Sequence, residues 1–80
     1  MFTEQYAKTL SDAAGVDVSL PDADAILDFT RRVAHGSTRQ NAPLAVFLAG
    51  RFVAARVAAG VDPTRAWEEA ARLGDGLLEA

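Results

Sequence analysis

Seventeen of the 80 residues are alanine, and nothing else in the sequence narrows the fold as much. Alanine is the strongest helix former and is depleted in strands, so an all-α fold is expected. It also leaves the core short of bulk, because half of the chain is hydrophobic and more than two-fifths of that half is alanine. A chain of this size hides only about 60–70% of its extended surface, while ordering it costs on the order of 100 kcal/mol in conformational entropy. There is no cysteine, hence no disulfide or thiolate metal site to supplement the core, and the single histidine, His35, makes no zinc site by itself. A partner protein or self-association is the expected remedy.

Apolar spacing divides the chain into four antiparallel helices with short links, a small four-helix bundle forming one domain over residues 1–80. Phe2, Tyr6 and Leu10 recur at helical spacing over about 2–14, with Gly15 as a stop. After an extended connector, the second helix is expected over 21–35, flanked by Ser19 or Leu20, with Pro21 in its first turn and Ile26, Phe29 and Val33 on one stripe. Asp22 and Asp24 at its start and Arg31, Arg32 and His35 at its end complement the helix dipole, and Gly36 suits a left-handed cap. The third helix, about 42–59, takes Asn41 as its cap, Pro43 in its first turn and Gly60 as its stop. It is apolar nearly all round, which marks a central helix, and any face left uncovered is a candidate interface, with Phe47, Phe52 and Val53 as its residues. Asp62 and Pro63 open the fourth helix, which turns Ala66, Trp67, Ala70 and Leu73 inward; Gly74 and Gly76 should break it near 73, leaving a short final turn at 76–79.

The net charge of −3 argues against a polyanionic nucleic acid or an anionic membrane as partner. The charge is unevenly placed. Residues 1–28 are strongly acidic, residues 29–61 carry Arg31, Arg32, Arg39, Arg51 and Arg56 and no acid, and residues 62–80 are acidic again. No unbroken apolar run approaches a membrane span, and the first residues lack the basic flank and apolar core of a signal peptide, so a cytoplasmic location is expected.

Chemistry concentrates at the junction of the second and third helices. Arg31, Arg32 and His35 share the end of one helix, Arg39 lies in the link, and Asn41 opens the next helix, whose free N–H groups favour anions. The junction therefore reads either as a stop and a start whose arginines pair with acids of the first and fourth helices, or as a site for a phosphate or a partner's carboxylate. Arg51 and Arg56 point away from each other; either one, if buried, needs a carboxylate such as Asp28, Glu68 or Glu69. Asp22, Asp24 and Asp28 lack the glycine and terminal glutamate of a calcium loop and read as a solvated face. Ser19 in Asp17-Val18-Ser19-Leu20 stands near where acyl carrier proteins hold their modified serine, but Val18 and Pro21 break that pattern. No paired-carboxylate, phosphate-loop or nucleophile motif is present, so neither a catalytic residue, a metal ligand nor a cofactor is assigned, and the chain is not expected to be an enzyme.

Around this junction Val33-Ala34-His35, Arg39, Ala42-Pro43-Leu44, Phe47-Leu48 and Gly50 follow without a gap. In this pattern the chain resembles a small actinobacterial all-helical domain family of unknown function, found alone or joined to molybdenum cofactor guanylyltransferases. Gln40 and Arg51 depart from the family pattern, which often has proline after the arginine and an apolar residue at the second position. The resemblance implies an accessory role in molybdopterin-guanine dinucleotide biosynthesis, with the transfer chemistry in the other domain. The expected partners are a protein or a second copy, with the molybdenum cofactor or a nucleotide phosphate as the anion at His35 and Arg39.

Overall fold

A computed structural model describes residues 2–79, and among them the chain is an all-α bundle of four helices: α1 (Phe2–Ala14), α2 (Ala23–Gly36), α3 (Asn41–Ala58) and α4 (Pro63–Leu78). α2, α3 and α4 pack on one another, whereas α1 stands apart from all three and buries none of its residues. Gly15, at φ 73°, ends α1, and the connector then folds back on it. The Val18 N–H donates to Ser11 Oγ at 2.7 Å, and Ser19 Oγ donates to the Asp17 carboxylate at 2.9 Å.

Local chemistry places the helix starts. The Asp22 carboxylate accepts the Ala25 N–H at 3.1 Å and caps α2, so Ser19, Leu20 and Pro21 lie in the connector rather than at the helix start. Asp62 accepts from the Thr64 and Arg65 N–H groups at 3.1 and 3.2 Å, with Pro63 in the first turn, as the sequence predicts. Asn41 is not the cap of α3: the preceding residue, Gln40, is already in helical conformation, so the backbone enters the helix without a side-chain acceptor. Gly60, at φ 95°, terminates α3 as expected.

Two other glycines do something different from what their positions suggest. Gly36 is the last residue of α2 and does not take a left-handed conformation; a Cβ there would stand 3.1 Å from Leu78 Cδ2. Helix α4 does not break at Gly74 but runs unbroken to Leu78, and Gly74 lets the Phe29 ring approach so closely that a Cβ would meet Cζ at 2.7 Å. Both are contact points between helices.

The core is correspondingly lean: Phe29 and Val33 of α2, Ala42 and Ala49 of α3, and Ala66, Trp67, Ala70 and Ala71 of α4. Phe29 and Trp67 meet edge to face at 5.6 Å, the one aromatic pair inside the bundle among the described residues. Ala71, not Leu73, completes the inner face of α4; Leu73 is exposed. Helix α3 is the middle helix, touching both α2 and α4, but it is not covered all round. Averaged over its 18 residues α3 has a mean hydropathy of 1.2, and it is the one described helix long and apolar enough to cross a membrane by length and composition. Arg51 and Arg56 interrupt it, and one face packs on α2 and α4.

Candidate docking surface and the helix junction

The two halves of the positively charged middle segment separate in the fold. Arg32 reaches α4 and grips Asp75 with two hydrogen bonds, from Nε at 2.9 Å and from Nη2 at 3.1 Å, while its guanidinium lies over the Phe29 ring at 5.7 Å. The hydrogen bonding to Asp75, opposed by desolvation and aided by the charges of Asp75 and Asp28, holds the Arg32 pKa above its ordinary value. A raised pKa adds stability that is lost only as pH rises through it, which for arginine lies beyond any working range. Arg31 pairs with Asp28 on its own helix, not with α1 or α4. Both arginines are thus neutralised within the bundle.

His35, Arg39 and Asn41 remain exposed at the α2–α3 junction, and none of the three has an ion-pair or side-chain hydrogen-bond partner among the described residues. Two grooves exist elsewhere. One, of about 550 Å³, runs between α2 and α4 past Asp28, Arg32, Trp67 and Asp75; the other, of about 610 Å³, lies at the α3–α4 turn beside Arg56, Asp62 and Glu69. Neither reaches His35, Arg39 or Asn41. No three His, Cys, Asp or Glu residues converge on a metal-sized site among the described residues. Ser19 sits in the extended connector, three residues before the Asp22 cap, not at a helix start.

Of the sequence-predicted interface residues, only Phe47 is on open surface, at 67% exposure; Phe52 and Val53 are half-buried and pack against the core. Arg56 is held by Glu69 of α4 at 3.0 Å, one of the carboxylates expected for it, whereas Arg51 is exposed without an ion-pair partner among the described residues. The residues that sequence reasoning missed are Leu44 and Leu48, 63% and 66% exposed beside Phe47, and Leu73 and Leu77 on α4, 57% and 79% exposed. The Arg56–Glu69 pair sets the antiparallel register, so stepping one and two turns from it puts Leu73 level with Phe52 and Leu77 level with Leu48. By this register the exposed leucines of α4 stand alongside those of α3, and we infer that together they form an apolar trough on the outer side of the two helices. Its signal in the sequence is the nearly complete hydrophobic circumference of α3, since one helix cannot turn every face toward two neighbours.

A family model described as a domain of unknown function, DUF6457, matches residues 2–80. The chain belongs to this family. No curated protein and no solved structure matches it. The match spans α1 as well as α2–α4, so the helix that stands apart is part of the DUF6457 domain and not an appendage to it.

Proposed function

We propose that this DUF6457 domain is a non-catalytic helical interaction module acting as an accessory in molybdenum cofactor biosynthesis. The observation that carries the interaction reading is the apolar outer side of α3, where Leu44, Phe47 and Leu48 stand more than half exposed on a helix otherwise built for burial. Its placement in cofactor biosynthesis is supported by the resemblance of residues 33–50 to actinobacterial domains joined to guanylyltransferases, in which the transfer chemistry belongs to the other domain. Titrating the domain into a molybdenum cofactor guanylyltransferase by calorimetry tests this: wild type binds, and Phe47→Glu loses at least roughly tenfold in affinity, about 1.4 kcal/mol. Absence of heat with the wild-type chain at hundreds of micromolar rejects the cofactor assignment.

A second reading is favoured by His35 and Arg39, the basic side chains of the junction left over once Asp28 and Asp75 have taken Arg31 and Arg32. In it, the junction binds a phosphate of the cofactor or of its nucleotide. Guanosine monophosphate at millimolar concentration, titrated against wild type and the His35→Ala, Arg39→Ala pair, decides it.

A further inference from the structure

The outer trough of α3 and α4 is not the only unpartnered apolar surface, and the second one has a complementary form. Helix α1 carries Phe2, Tyr6, Leu10 and Ala13 along one side and Glu4, Lys8 and Asp12 along the other. Phe2 and Tyr6 stack at 5.6 Å yet are 73% and 53% exposed, because no other helix touches them. At 1.5 Å per residue, the 13 residues of α1 span about 20 Å, close to the roughly 17 Å from Leu44 to Ala55 on α3.

We infer that the trough is filled by α1 of a second copy, and reciprocally, in an exchanged homodimer. This rests on reading the outer face of α3 as a docking surface and names its occupant. The connector decides between the molecule's own α1 and a neighbour's. Ser11 holds Val18 against the end of α1, so only the steps from Val18 to the Asp22 cap are free, at most about 14 Å of chain. Because α2, α3 and α4 pack mutually, a helix in the outer α3–α4 trough stands opposite α2, about 14–17 Å from its axis at ordinary spacings. A fully stretched connector leaves no slack to pass around α3 or α4, and a second copy meets no such limit. The groove between α2 and α4, which the molecule's own α1 would reach more easily, sets Ala25, Trp67 and Ala71 within a rim of charges, Asp28, Arg32, Glu68, Arg72 and Asp75, that the uncharged side of α1 cannot pair.

Area supports a dimer too. Phe2, Tyr6 and Phe47 of two copies, each more than half exposed, bring roughly 600–1,000 Å² of ring surface. The leucines of the trough then carry the total into the roughly 1,200–2,000 Å² of a stable interface.

Sedimentation equilibrium on the full chain tests the inference. Wild type is expected at twice its 8.5 kDa mass at hundreds of micromolar. Tyr6→Glu on α1 and Leu48→Glu on α3 are each expected to be monomeric with unchanged helicity, since both positions are exposed in the single chain. An equimolar mixture of the two variants regains dimer, because one intact α1 then meets one intact trough. A monomeric wild type overturns the inference, as does a dimer indifferent to Tyr6→Glu, which would pair α3 with α3. Wild type that stays monomeric and sediments with lipid vesicles also overturns it. Should the dimer fail while Phe47→Glu still abolishes guanylyltransferase binding, the interaction reading stands with another occupant.

Discussion

Gly74 and Gly76 lie two residues apart in α4, and alanine at the two positions should act in opposite directions. Each replacement adds a methyl group to a helix, which by propensity alone stabilises by up to about 1 kcal/mol. At Gly76 there is nothing within 4 Å for the methyl group to meet. At Gly74 it would stand 2.7 Å from Phe29 Cζ and 2.8 Å from Cε1. That ring has little room to turn, being edge-on to Trp67 at 5.6 Å and covered by the Arg32 guanidinium. Overpacking of this kind costs about 1–3 kcal/mol. Because the propensity gain is common to both, the difference between the variants approximates the overpacking cost alone. A domain of this size shifts its melting temperature by about 4–8 °C per kcal/mol, so Gly74→Ala should melt at least about 4 °C below Gly76→Ala. Thermal unfolding followed by far-ultraviolet circular dichroism, at a concentration low enough to keep association out, measures the gap. Equal melting temperatures, or a higher one for Gly74→Ala, would falsify the close approach of α2 and α4 through Gly74.

Other expectations follow from the caps, the ion pairs and the isolation of α1. Asp62→Ala should lose about 1 kcal/mol in urea unfolding, since two N–H groups lose their acceptor, while Asn41→Ala should stay within about 0.5 kcal/mol of wild type. A double-mutant cycle on Arg32 and Asp75 should return a coupling of about 0.5–1 kcal/mol that shrinks in high salt, as suits a two-pronged but largely exposed pair. Trp67→Ala should cost about 3–5 kcal/mol, enough to abolish the cooperative melt of so lean a core. A chain lacking residues 1–18 should melt with the wild type at low micromolar concentration and below it at high concentration, because α1 contributes nothing to its own bundle.

Much of the fold is legible in the sequence because it depends on local physics. Alanine content and helical spacing foretell four helices, and the opening of α4 at Asp62-Pro63 and the stop of α3 at Gly60 follow from rules that involve only neighbouring residues. The two misread glycines share one cause. A glycine near a helix end reads the same whether it frees the backbone or admits another side chain, and the side chain that decides is far away. For Gly36 it is Leu78, and for Gly74 it is Phe29. Sequence reasoning defaults to the local role, and in a core this short of bulk the distant role wins, because helices poor in large side chains must approach closely to bury anything.

The same default hid the functional question at the junction. Arg31, Arg32 and Arg39 gather near His35 in the sequence as a candidate anion site, but the partner of Arg32 is Asp75, 43 residues on, and Arg56 is held by Glu69. Folding therefore cancels much of the charge that the linear sequence displays and exposes an apolar surface that it conceals. What distinguishes the surface of this molecule is the outer side of α3, with Arg51 the lone charge among Leu44, Phe47 and Leu48. An arginine at that place costs little while its head reaches water and its stem lies on apolar neighbours. Once a helix docks, it becomes the one charge at the contact, so an acid on the incoming helix is favoured and a base is excluded. On the proposed docking surface Arg51 is thus the position at which charge would discriminate between partners.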